Sequence, residues 1–99
     1  MIDYDERKCH TINIRTAEYG SENSFGIKSG SKTVCGSHQQ YNDHGNYEEE
    51  CCLVPGTYTI DCKCSYGDGW HGGYLEVDGT RYCEDFLSGT TKSVTVRFN

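Results

Sequence analysis

Residues 65–79, Ser-Tyr-Gly-Asp-Gly-Trp-His-Gly-Gly-Tyr-Leu-Glu-Val-Asp-Gly, crowd five glycines, three acids and three aromatic rings into one short stretch. Such a loop suits three kinds of ligand. A phosphate cradle needs successive backbone N–H groups feeding a helix, with a Lys or Arg at hand. Here no helical pattern follows Gly73, and no basic residue lies between Lys63 and Arg81, so phosphate is not expected. Calcium needs about six to eight oxygens, which Asp68 supplies only if the fold gathers Asp61, Asp78 or Glu84 around it. Asp68 and Asp78 are therefore weak calcium candidates, and no other cofactor is expected. A sugar platform needs an exposed ring among polar neighbours, and Tyr66, Asp68, Trp70, His71 and Tyr74 form the candidate ligand loop. Against these stands a plainer expectation: Trp70 plugs the core, and the glycines let backbone pass close to its ring.

Sulfur is the second chemistry on offer, with seven cysteines beside four histidines. Cys35-Gly-Ser-His38 and Cys62-Lys-Cys64 contain zinc-ligand types, but no Cys-x-x-Cys pair or Cys2His2 spacing appears. Dense cysteine in a small chain reads instead as a disulfide framework, which persists in oxidising surroundings. That implies an extracellular or cell-surface location. Nothing resembles a catalytic motif, and the run Glu48-Glu49-Glu50 reads as a solvated loop, so no enzyme is expected. No Asn-x-Ser/Thr sequon is present.

The elements that would position these residues are strands. The chain has 99 residues, the size of one domain. Its hydrophobic fraction is 34%, too low for area burial alone to stabilise it comfortably. The net charge of −6 argues against nucleic acid or an anionic membrane as partner. No apolar run approaches the roughly 18 residues of a membrane span, and Met1–His10 contains no apolar signal-type core. Period-two alternation recurs instead of helical periodicity. Ile12 and Ile14 share a face in His10–Thr16, as do Tyr58, Ile60, Cys62 and Cys64 in Gly56–Ser65. Leu75 and Val77 share one in Gly73–Gly79, and Val94, Val96 and Phe98 share one in Lys92–Phe98. Ser24–Gly30, Lys32–Ser37 and Thr80–Phe86 complete the strands, and Asp78-Gly79 signals a two-residue hairpin. The expected fold is an all-β, antiparallel, disulfide-stapled sandwich of about seven to eight strands, a single module over residues 1–99. Residues 1–8 read as a linker or as a strand donated to a neighbour, and 38–50 as a polar loop with one helical turn. A faint echo links Glu18-Tyr19-Gly20 and Ser65-Tyr66-Gly67, each placed between two strands.

The stretch Cys51–Phe86, preceded by Tyr19–Ile27, resembles the GDGW modules of secreted and surface proteins in protists, marine invertebrates and some bacteria. The likeness spans roughly residues 16–96. It implies an extracellular β module without enzyme chemistry. In the pattern it resembles, an aspartate stands where this chain has Cys64. The resemblance thus implies that Cys9, Cys35, Cys51, Cys52, Cys62 and Cys83 pair, in a connectivity the sequence leaves open. Cys64 becomes the odd thiol, either free or joined to a second chain. Extended Cys51 and Cys52 point to opposite faces, so one is expected in the core while the other reaches a neighbouring element or a second subunit. The expected function is a structural module that self-associates or packs with neighbouring modules in an extracellular fibre, coat or matrix. The alternative is a calcium-assisted or aromatic-platform carbohydrate-binding module, with glycan as partner.

Overall fold

The computed structural model describes residues 7–37 and 40–98. Eight strands form two antiparallel sheets: β1 Lys8–Arg15, β2 Asn23–Ser29, β3 Lys32–Gly36, β4 Asn46–Leu53, β5 Gly56–Cys64, β6 Tyr74–Val77, β7 Thr80–Tyr82 and β8 Thr91–Phe98. The first sheet has the order β4-β1-β6-β7 and the second β3-β2-β5-β8. The chain is a small all-β sandwich, and its inward faces carry the alternating residues. Ile12, Ile14, Leu75 and Val77 come from the first sheet, and Phe25, Ile27, Ile60 and Phe98 from the second. Each of these side chains, fully buried, contributes on the order of 1.5–3 kcal/mol.

Sulfur closes both flanks. Cys35 on β3 joins Cys51 on β4, tying the edge strands of the two sheets together. Cys62 on β5 joins Cys83, just past β7, on the other flank. The third bridge, Cys9–Cys52, lies within the first sheet between directly opposed residues of β1 and β4. Strand alternation explains the split between adjacent cysteines: buried Cys51 faces the other sheet, and half-exposed Cys52 faces outward to Cys9.

Three expectations need correction. Residues 38–50 are not simply a polar loop, because Asn46–Leu53 is an edge strand paired with β1 along its whole length. The three glutamates sit on that strand, and Tyr41 just before it is buried in the core. Burial pushes the Tyr41 phenol up to about 12, with Ser37 opposing and Glu49 reinforcing the shift. Secondly, Thr80–Phe86 stops being a strand at Tyr82. Cys83 takes a positive φ of 65° and turns the chain inward to its disulfide. Thirdly, Lys8 belongs to β1, so a linker would end before it; residues 1–6 lie outside the described residues.

The outer face of the second sheet holds a buried acid that alternation would leave in water. Asp61 is 3% exposed. It accepts from Ser93 Oγ at 2.5 Å and pairs with Lys28 Nζ at 2.5 Å. Gly26 opposite it carries no side chain, which leaves room for Lys28 to reach across. Burial raises the Asp61 pKa, but the Lys28 and Ser93 hydrogen bonds and the charges of Lys28 and Lys63 outweigh it, so the net direction is down. A depressed carboxylate pKa means stability that is complete above the ordinary carboxylate range and is lost as pH falls through the folded value. Denaturant titrations should therefore show the wild type losing more stability than Asp61→Asn on acidification below about pH 4. Near neutrality, Asp61→Ala should cost about 1–3 kcal/mol, because it strands Lys28 and Ser93.

Candidate functional site

The glycine-rich loop is one of two crossovers that lie side by side. The first runs from β1 to β2 and the second from β5 to β6, and each carries the chain from one sheet to the other. Arg15 at the end of β1 opposes Tyr74 at the start of β6, and Asn23 opposes Cys64 in the same way. Both crossovers consequently sit at one end of the sandwich. Ser65 N–H donates to Glu22 O, and the Tyr19 ring lies 5.2 Å from the His71 ring. The repeated Tyr-Gly of the sequence marks these paired crossovers.

The loop is zipped onto the segment that leads into β8. Cys64 N–H donates to Thr90 O, Gly69 N–H to Gly89 O, Trp70 N–H to Phe86 O and Gly89 N–H to Gly67 O. Gly69 has a φ of 74° and lies against the Phe86 carbonyl, so a side chain there would collide with backbone. Trp70 is 0% exposed, and its indole N–H donates to Lys63 O at 2.8 Å. It is the core plug, and as a sugar platform it is ruled out by burial.

The remaining candidates scatter. Tyr66 is 79% exposed. Tyr74 lies on the outer face of the first sheet with the Arg81 guanidinium 4.2 Å from its ring centre. The aromatic residues of the loop therefore do not gather into one platform. The calcium pair also fails to assemble. Asp68 lies in the crossover loop, whereas Asp78 lies in the hairpin beyond the far end of β6, where it contacts His10 Nδ1 at 3.0 Å. His38, one of the zinc-ligand types, lies outside the described residues.

Cys64 carries no disulfide and is 1% exposed. Its thiol donates to Asp68 Oδ1 at 3.1 Å, and Glu22 Oε1 lies 3.9 Å away. Joining it to a second chain would require the zipped loop to open. Asp68 has a lowered pKa, first because of the Cys64 hydrogen bond and then, against the effect of desolvation, because of His71. Glu22 carries no motif of its own in the sequence. Its signal was the Tyr-Gly echo, which places it opposite Cys64 only once the two crossovers are known to be neighbours.

A shallow groove of about 350 Å³ crosses the outer face of the first sheet, lined in part by Asn13, Arg15, Asn46, Glu48, Tyr74 and Glu76. Compared with family models, curated proteins and solved structures, the chain matches none. Trp70→Ala should cost about 3–5 kcal/mol in denaturant unfolding, the range for emptying a buried aromatic site. Tyr66→Ala should leave the midpoint within error.

Proposed function

We propose that the chain is a non-enzymatic extracellular structural module that adds to copies of itself, acidic edge to basic edge. The supporting observation is the pair of long open edges. β4 and β8 each have eight residues, lie at the ends of different sheets and have no further strand beside them among the described residues. β4 carries Glu48 and Glu50 exposed, while β8 has Lys92 and Arg97 and no acid. Between its two cations β8 runs Ser93-Val94-Thr95-Val96, an uncharged stretch of the kind that recruits another strand. Because the two edges differ, a β4-to-β8 contact is heterologous and propagates as a ring or filament rather than closing as a two-fold dimer. Three disulfides in a domain this small suit an oxidising, extracellular setting.

Sedimentation and electron microscopy of the oxidised protein over a concentration series should show multimers that weaken with salt. Thr95→Glu, which places an acid on β8 against the β4 glutamates of the next copy, and the double variant Glu48→Lys with Glu50→Lys should both yield folded monomers. A wild type that stays monomeric at every concentration would sink this reading.

The alternative, glycan binding, retains one favourable observation. Tyr74 sits among amides, carboxylates and a guanidinium in the groove on the first sheet, groups that match sugar hydroxyls. A glycan panel should then give binding that Tyr74→Ala abolishes, and an empty panel removes the reading.

A further inference from the structure

The three disulfides differ in what they hold. Cys35–Cys51 and Cys62–Cys83 tie one sheet to the other through buried sulfur, with Cys51, Cys62 and Cys83 all sealed in the core. Cys9–Cys52 joins directly opposed residues of β1 and β4, strands already paired from Lys8 opposite Leu53 to Arg15 opposite Asn46. It crosses no sheet boundary. Alternation turns both of its side chains to the outer face, where Cys9 is exposed and Cys52 half-exposed. Opening this bridge leaves the β1–β4 ladder, both inter-sheet bridges and the core in place.

The surroundings of the two sulfurs are unequal. Cys52 lines an open groove of about 370 Å³ together with Val54 and Tyr58, and the charged groups lining it, Arg7 and Lys32, are both cations. Such a wall attracts an anion. Thiol–disulfide exchange needs a thiolate to approach in line with the S–S bond, from the side of the sulfur it attacks. The groove gives that approach to Cys52. The other sulfur then leaves carrying negative charge. Glu50 Oε1 lies 3.5 Å from Cys52 Sγ and disfavours charge there. Cys9 is also within 4.8 Å of the Glu50 carboxylate, but it is exposed, and water solvates the charge it carries away.

We propose that Cys9–Cys52 is a thiol–disulfide exchange site at which a small anionic thiol becomes attached to Cys52. The incoming thiolate attacks Cys52 Sγ, a new sulfur–sulfur bond forms as the Cys9–Cys52 bond breaks, and Cys9 leaves as a thiolate that takes a proton from water. One disulfide replaces another, so no external oxidant or reductant is consumed. Arg7 and Lys32 hold the anionic group of the thiol in the groove. Return attack by Cys9 on Cys52 expels the thiol and restores the bridge, which makes the attachment reversible. This chemistry goes beyond edge-to-edge assembly and does not depend on it.

The test treats the folded, fully oxidised protein with 2-mercaptoethanesulfonate, traps free thiols with iodoacetamide under native conditions, and maps the products by mass spectrometry. The expected product carries the mercaptoethanesulfonate on Cys52 and the alkyl group on Cys9, with Cys35–Cys51 and Cys62–Cys83 intact and buried Cys64 unlabelled. Its circular dichroism should match that of the untreated protein. Per unit of thiolate, 2-mercaptoethanesulfonate should react about fivefold faster at low salt than neutral 2-mercaptoethanol, and salt should close the gap. The double variant Arg7→Ala with Lys32→Ala should erase the preference while leaving the reaction with 2-mercaptoethanol unchanged. The proposal is overturned if either inter-sheet bridge opens as fast as Cys9–Cys52, if the adduct sits on Cys9, if the β signal is lost as the bridge opens, or if the anionic thiol has no advantage over the neutral one. Wild-type protein that stays monomeric and still gives the Cys52 adduct would refute edge-to-edge assembly and leave the exchange site standing.

Discussion

Two disulfides that cross between the sheets, one on each flank, are the constraint on which the other features depend. The aliphatic residues facing inward are few, and a sandwich of this size buries too little area to hold two sheets in register by hydrophobic burial alone. Cys35–Cys51 fixes edge strand to edge strand, and Cys62–Cys83 fixes the second flank through a residue just beyond β7. They close loops separated by 16 and 21 residues, each worth on the order of 3 kcal/mol in the chain-entropy account. With both flanks tied, β1 lies over β2 and β6 over β5. The crossovers joining these pairs then have to leave from the same end.

That geometry also settles what the glycines do. A crossover between stacked sheets must turn sharply while passing over the core, and the loop after β5 does so around the Trp70 ring. Positive φ at Gly67, Gly69 and Gly72, with Gly69 pressed on the Phe86 carbonyl, allows the turn. The backbone ladder to residues 86–90 then removes the freedom that glycine would otherwise give. A ligand-gripping loop and a tight core-wrapping loop share a composition, and burial of the tryptophan separates the two.

Much of this fold could be read from the chain because a period of two is visible wherever one strand face is buried. Ile12 and Ile14, Leu75 and Val77, and Ile60 and Cys62 all show it. β4 escaped because an edge strand with glutamates on both faces has no apolar alternation until Cys51 and Leu53. Tyr41 escaped because it packs from a loop, where no period exists. Asp61 followed the alternation in direction but not in burial, since the cover from Lys28 and Ser93 comes from neighbouring strands. The odd cysteine was legible by comparison with a pattern, whereas its neighbour Glu22 depended on contacts between residues far apart in sequence.

An unbridged cysteine on a strand that also carries a bridged one invites disulfide exchange during oxidative folding. Cys62 and Cys64 share a face of β5 two residues apart, and attack of a free thiolate on a neighbouring disulfide is the ordinary route of reshuffling. The native arrangement opposes this in two ways. Burial keeps Cys64 from solvent oxidants, and its hydrogen bond to Asp68 directs the sulfur into the crossover. Exchange would need the sulfur to turn away from Asp68 and the zipped loop to open. Both features protect the Cys62–Cys83 bridge that the second flank depends on.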